Sequence, residues 1–157
     1  MLWFVGAFLG IVIFIASSFS AYAMGCQVYD EAGLFSDDEV TELTAAVDEA
    51  EDKTGWDLML LTVNDASVVS TQDYAEEKFN EYAQSDDGIA FVLDMNARIF
   101  YIATAGETYE YIVDTHLNKM LDQATEYAKS GNYDQAMMSM LKDTVTYYQE
   151  GKPDNLT

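Results

Sequence analysis

The 157-residue chain has one Cys, one Pro, one His and seven Lys and Arg together. Each scarcity excludes something. A single Cys allows no intrachain disulfide framework. With so few Cys and His, there is no zinc ligand pattern. One Pro and nine Gly, in a chain that is 50% hydrophobic and 13% aromatic, exclude a collagen-like or mostly disordered polymer. Seven cationic side chains against 28 acidic ones give a formal net charge of −21. Nucleic acid is a poor partner for such a surface, and an anionic lipid surface repels it. Cations and basic proteins remain electrostatically favoured partners. No internal repeat, phosphate-cradling glycine loop or dinucleotide fingerprint is present.

What is present starts with an apolar run from Leu2 to Ala16, diluted by Ser17, Ser18 and Ser20 and followed by Ala21-Tyr22-Ala23. Two readings fit. A cleaved signal peptide uses the run as its core and Ala21-x-Ala23 as its cleavage site. An uncleaved signal anchor needs about 20 mostly apolar residues to span a bilayer, and Leu2 to Met24 supplies them. No Lys or Arg precedes the run, unlike the usual signal peptide, and its length favours the anchor. Ala23-Met24-Gly25-Cys26 loosely resembles a lipoprotein box, with Ala where a large aliphatic residue is usual; a free juxtamembrane thiol is the plainer reading. All these readings place residues 27–157 outside the cytoplasm. The expected organisation is an anchor or signal over 1–24, a domain over 27–150 and a tail or linker start over 151–157.

The domain alternates helical and strand periods. Ser36 with Glu39 forms a capping box ahead of a helix whose inner stripe is Val40, Leu43, Val47 and Ala50, and Gly55 ends it. Trp56 to Val63 is a short apolar run of strand length. Ser70 or Thr71 opens a second helix that reaches Gln84. Ile89–Leu93 and Ile99–Thr104 read as a β-hairpin. Asp114 or Thr115 opens a third long helix, and Tyr133 to Tyr148 is a fourth. A short strand at Gln27–Tyr29 completes the pattern. Strands apolar on both faces need helices on both sides. The expectation is therefore an α/β fold: a three-layer α/β/α sandwich around a small mixed sheet, preceded by an N-terminal hydrophobic helix. Met137, Met138 and Met140 lie at helical spacing and read as core packing.

Catalytic options are few. A Cys-His nucleophile pair is disfavoured because Cys26 lies beside the apolar segment, far from His116. No nucleophile elbow supports a serine triad, and His116 reads as a surface residue near a helix start. Oxygen chemistry remains. Carboxylates suit Ca²⁺ or Mg²⁺, and six occupy loop or strand-end positions: Asp30, Asp86, Asp87, Asp94, Glu107 and Asp114. Gly88 would let a backbone approach closely. Asp86 and Asp87 also have an ordinary role as turn formers, and Asp114 as a helix cap.

An ordered set of short motifs resembles the TPM-domain family, which includes a thylakoid lumen protein, a photosystem II repair factor and a nematode receptor modulator. The set runs from Val28-Tyr29-Asp30-Glu31-Ala32-Gly33-Leu34-Phe35-Ser36 through Lys53-Thr54-Gly55, Asp73-Tyr74-Ala75 and Asp87-Gly88-Ile89. It continues with Arg98, Thr104-Ala105-Gly106, Asp114 and Gly131-Asn132-Tyr133. The resemblance implies an α/β/α sandwich and an extracytoplasmic, membrane-associated module. It further implies divalent-ion binding through loop carboxylates, and either an accessory role in membrane protein complexes or acid phosphatase activity. Ala105-Gly106-Glu107-Thr108 has one Gly where the family often has a Gly-x-Gly pair. Two functions follow as expectations. One is a membrane-tethered accessory module with a protein partner, basic or part of a membrane complex. The other is a metal-dependent phosphatase on the same acidic loops, with Arg98 or Lys119 stabilising transferred charge.

Overall fold

The computed structural model describes residues 28–154. The expected N-terminal hydrophobic helix, the cleavage site and Cys26 lie outside the described residues. Among those described, no helix is long and apolar enough to cross a membrane.

The fold is α/β. Strands β1 (Val28–Asp30), β2 (Asp57–Val63), β3 (Gly88–Asp94) and β4 (Ile99–Ala105) form one mixed sheet in the order β1-β2-β3-β4. The first three strands are parallel and β4 returns antiparallel. Helices α1 (Asp37–Thr54) and α2 (Thr71–Tyr82) connect the parallel strands. A short α3 (Thr108–Tyr111), then α4 (Asp114–Lys129) and α5 (Tyr133–Glu150), follow the hairpin.

Strand alternation sorts the core into two clusters. Leu58, Leu60, Ile89, Phe91 and Leu93 face α1, α4 and α5, where they meet Leu43, Val47, Met120, Ala124, Met137 and Met140. Met59, Leu61, Val63, Ala90 and Val92 face α2, where they meet Ala75 and Phe79. Met137 and Met140 are fully buried, so the methionine stripe is core packing.

Helix α1 and helix α2 therefore lie on opposite faces. Both crossovers step one strand in the same direction, so they have opposite hands and one is left-handed. Such connections are right-handed in roughly 98% of cases. As a result, the loops after β1 and β2 leave the sheet toward opposite faces.

Local chemistry accounts for the element ends. Ser36 accepts from the Glu39 N–H, and the Glu39 carboxylate accepts from the Ser36 N–H at 2.7 Å, closing the expected capping box. Gly55 ends α1 at φ 75° and donates to the Glu51 carbonyl. Three expectations needed correction. Helix α2 stops at Tyr82, because the Asp57 carboxylate takes the Gln84 and Ser85 N–H groups at 2.6 and 2.7 Å. Asp114 does not cap α4. Val113 occupies that position, and Asp114 is the first helical residue. The loop from Ala105 ends in the turn of α3, which periodicity misses because it is four residues long.

Replacing Ser36 with Ala should lower unfolding free energy by about 1 kcal/mol, measured by urea denaturation. An unchanged midpoint would mean that the capping box contributes nothing to stability.

Candidate functional site

Of the six carboxylates singled out in the sequence, five fall at the two ends of the sheet, and the sixth, Asp114, is the first residue of α4. Asp30 and Asp94 end parallel strands, whereas Asp86 and Asp87 precede β3 and Glu107 follows β4. Six residue steps separate Gly88 from Asp94, a length of about 20 Å, so no single ion spans both groups. Among the described residues, no group of three or more Asp, Glu, His or Cys is arranged to hold a metal.

Asp30 and Asp94 also diverge from each other. Asp30 pairs in register with Thr62 on the face covered by α1 and accepts from its hydroxyl. Its two oxygens also take the Leu34 and Phe35 N–H groups, each at 2.9 Å. Asp94 lies on the face covered by α2 and is fully buried. It accepts from the Thr71 hydroxyl at 2.7 Å and from the Asn96 and Ala97 N–H groups at 3.0 and 2.9 Å. Each carboxylate thus fastens the loop that follows its own strand.

Asp86, Asp87 and Glu107 are brought together at the other end. The Asp87 carboxylate accepts from the Glu107 N–H at 2.7 Å, tying the turn before β3 to the loop after β4. The Glu107 carboxylate accepts from the Trp56 indole at 2.9 Å, and Trp56 packs edge-on against Tyr111 and Tyr148. Asp86 is exposed. Gly106 sits at φ 66°, and a Cβ there would collide with the Asp87 carboxylate and the Asp86 carbonyl. The backbone approach expected at Gly88 is internal: a Cβ there would strike the Asp57 carbonyl and the Phe79 ring. Space in the protein's own core accounts for that glycine without a ligand.

Glu51 was missed by sequence reading. It lies in the last turn of α1, half-buried, and accepts from the Leu58 N–H at 2.8 Å. Burial raises its pKa from 4.5 to about 7; the Leu58 hydrogen bond opposes this, and the nearby Asp57, Asp48 and Asp52 charges add to it. Its neighbouring carboxylates are all local in the chain, but the burial that dominates the shift comes from packing that residue identity does not show.

The cationic and imidazole groups sit elsewhere. Arg98 is in the β3–β4 turn, at the opposite end of the sheet from Asp86 and Asp87. Lys53, Lys78, Lys129 and Lys152 are in ion pairs with Glu49, Glu31, Glu126 and Glu110. Lys152 also lies 5.3 Å from the centre of the Tyr111 ring, which docks the start of the tail. The His116 ring stacks on Tyr147 at 3.8 Å, with Nδ1 3.0 Å from the Tyr111 carbonyl. It is a partly buried packing residue rather than a free surface group.

A family profile for the TPM domain matches residues 28–147. The chain belongs to the TPM-domain family. Its fold is similar to the solution structure of the N-terminal domain of a protein from P. gingivalis, with a TM-score of 0.69 at 17% identity, covering 80% of this chain and 83% of that one. It is also similar to the BA42 protein of the psychrophilic bacterium Bizionia argentinensis, with a TM-score of 0.65 at 14% identity, covering 77% and 86%. A third similar structure is the N-terminal domain of a Corynebacterium glutamicum protein, with a TM-score of 0.64 at 12% identity, covering 83% and 84%. These likenesses show the TPM fold alone. No curated protein matches the chain.

Two outcomes are expected. Replacing Gly106 with Ala should destabilise the TPM domain by about 1–3 kcal/mol, read by thermal unfolding, because both its backbone angle and its space are taken. Glu51 binds its proton more tightly in the folded state, so its contribution is complete below pH 4.5 and is lost as pH rises toward about 7. Parent stability should therefore fall across that window relative to Glu51→Gln, whose amide oxygen still accepts from Leu58. Parallel pH profiles would contradict the assignment.

Proposed function

We propose that this chain is a membrane-tethered, extracytoplasmic TPM-domain interaction module. In this reading residues 2–23 hold it at the membrane, and its acidic body docks on a basic surface of a protein partner, as in a membrane complex. The observation that carries the reading is the distribution of charge. Residues 1–27 carry no charged side chain, so the whole charge of −21 falls on the domain. Four of its seven cationic side chains are already paired with glutamates. Such a surface steers association with a basic partner and makes it sensitive to salt.

In this reading weak divalent-ion binding is assigned to the Asp86, Asp87 and Glu107 end, where two loops are tied together but no three-carboxylate cluster is preformed among the described residues. Glu107 and Asp87 each commit one oxygen to the protein, so an ion there completes its shell with water. Affinity is then expected at the weak extracellular end, a Kd of roughly 0.1–1 mM. The phosphatase alternative draws on the same loops, but Arg98, one of its two proposed charge-stabilising groups beside Lys119, is at the far end of the sheet.

Calorimetric titration of Ca²⁺ and of a lysine-rich peptide into residues 28–157 tests the reading, with Asp86→Asn and Asp87→Asn alongside. Expected are millimolar Ca²⁺ binding weakened by both substitutions, and peptide binding that fades with added salt. Absence of peptide binding at low salt would remove the basis for a basic partner. Hydrolysis of a phosphomonoester that Asp87→Asn abolishes would make the protein a hydrolase instead.

A further inference from the structure

On a surface dominated by acid, one cleft is lined by two cations, Thr125 and mostly apolar groups, without any Asp or Glu. It has a volume of about 480 Å³ and lies between the β3–β4 turn and the junction of α4 with α5. Leu93, Phe100, Leu121 and Tyr133 line its apolar part, and Arg98 and Lys129 line it with charge. Its volume falls in the range of roughly 300–1,000 Å³ typical of small-molecule sites, which are mostly apolar with a few placed polar groups.

Arg98 separates this cleft from an ordinary surface groove. It is the only non-glycine residue with positive φ among the described residues, at 58°. That hairpin position ordinarily takes Gly or Asn, because a side chain there is strained. The turn has no freedom to relax. Asp94 is buried, held by Thr71, and grips the Asn96 and Ala97 N–H groups. The strain thus presents a guanidinium that makes no ion pair among the described residues. The hairpin connection demands the left-handed backbone there, and Arg98 occupies it in place of a residue that would adopt it with less strain. Lys129 is paired with Glu126, but that carboxylate side chain is 71% exposed. A surface pair of this kind is weak and readily gives up its lysine.

We propose that this cleft binds a small anionic amphiphile, a carboxylate joined to a short apolar chain. Arg98 and Lys129 hold the carboxylate, and Leu93, Phe100, Leu121 and Tyr133 cover the chain. The cleft lies at the opposite end of the sheet from Asp86 and Asp87, so the inference stands apart from the ion and partner reading above.

The test is an amide-shift titration of residues 28–157 with octanoate, with acetate and octanol as head-only and chain-only probes. Both core clusters lie within this segment, and two of the similar structures are isolated N-terminal domains. Saturable shifts are expected at Ile99, Phe100 and Ala128, with a Kd on the order of 0.1 mM for a ligand of this size. Acetate and octanol should each bind at least about tenfold more weakly, since both head and chain contribute. Arg98→Gly should weaken octanoate binding by about tenfold or more while leaving the melting temperature equal or higher, because it relieves the backbone. Lys129→Gln should also weaken binding, and Lys142→Gln, outside the cleft, should not. Absence of saturation at millimolar octanoate, equal binding of octanol, shifts confined to other residues, or undiminished binding by Arg98→Gly would each overturn the proposal.

Discussion

Both faces of β2 and β3 are closed to water, and most of the molecule is arranged around that constraint. Leu58, Met59, Leu60, Leu61, Ile89, Ala90, Phe91 and Val92 have no exposed surface. Removing so much apolar area from water is the main favourable term in folding. It obliges a helix layer on each side, and α1, α4 and α5 supply one while α2 supplies the other. With α1 and α2 on opposite faces, one crossover takes the disfavoured hand.

Backbone at the strand ends must then be satisfied where the chain leaves the sheet. Acidic side chains do much of this work. Asp30, Asp57 and Asp94 each hold N–H groups of a neighbouring loop or helix end. Asp87 ties two loops together across Gly106. The carboxylates most visible as ligand candidates are in large part the fasteners of their own loops. The remaining acid forms a solvated anionic surface.

Much of the fold was legible in the chain. The capping box at Ser36 and the left-handed stop at Gly55 are local, so residue identity settles them. The apolar runs marked the two central strands, because a strand buried on both faces has no polar positions. The inner stripes of the long helices were readable for the same reason of period. The signals that failed were short or contextual. Helix α3 is one turn long, and α2 ends early because Asp57, 27 residues before Gln84, takes its N–H. Glycines 88 and 106 were visible, but what they leave room for was not: Phe79 and Asp57 in one case, Asp86 and Asp87 in the other.

The candidate site divides the same way. The sequence by itself determined the charge, the scarcity of nucleophiles and the loop or strand-end positions of Asp30, Asp86, Asp87, Asp94 and Glu107. These are properties of composition and local period, and they need no partner in space. Only the tertiary structure decided which carboxylates share an end of the sheet, and that Asp30 and Asp94 face opposite sides of it. It alone set Arg98 in a strained turn beside Lys129, on helix α4. Strand register and crossover face control those juxtapositions, and both are fixed by packing between segments far apart in the chain.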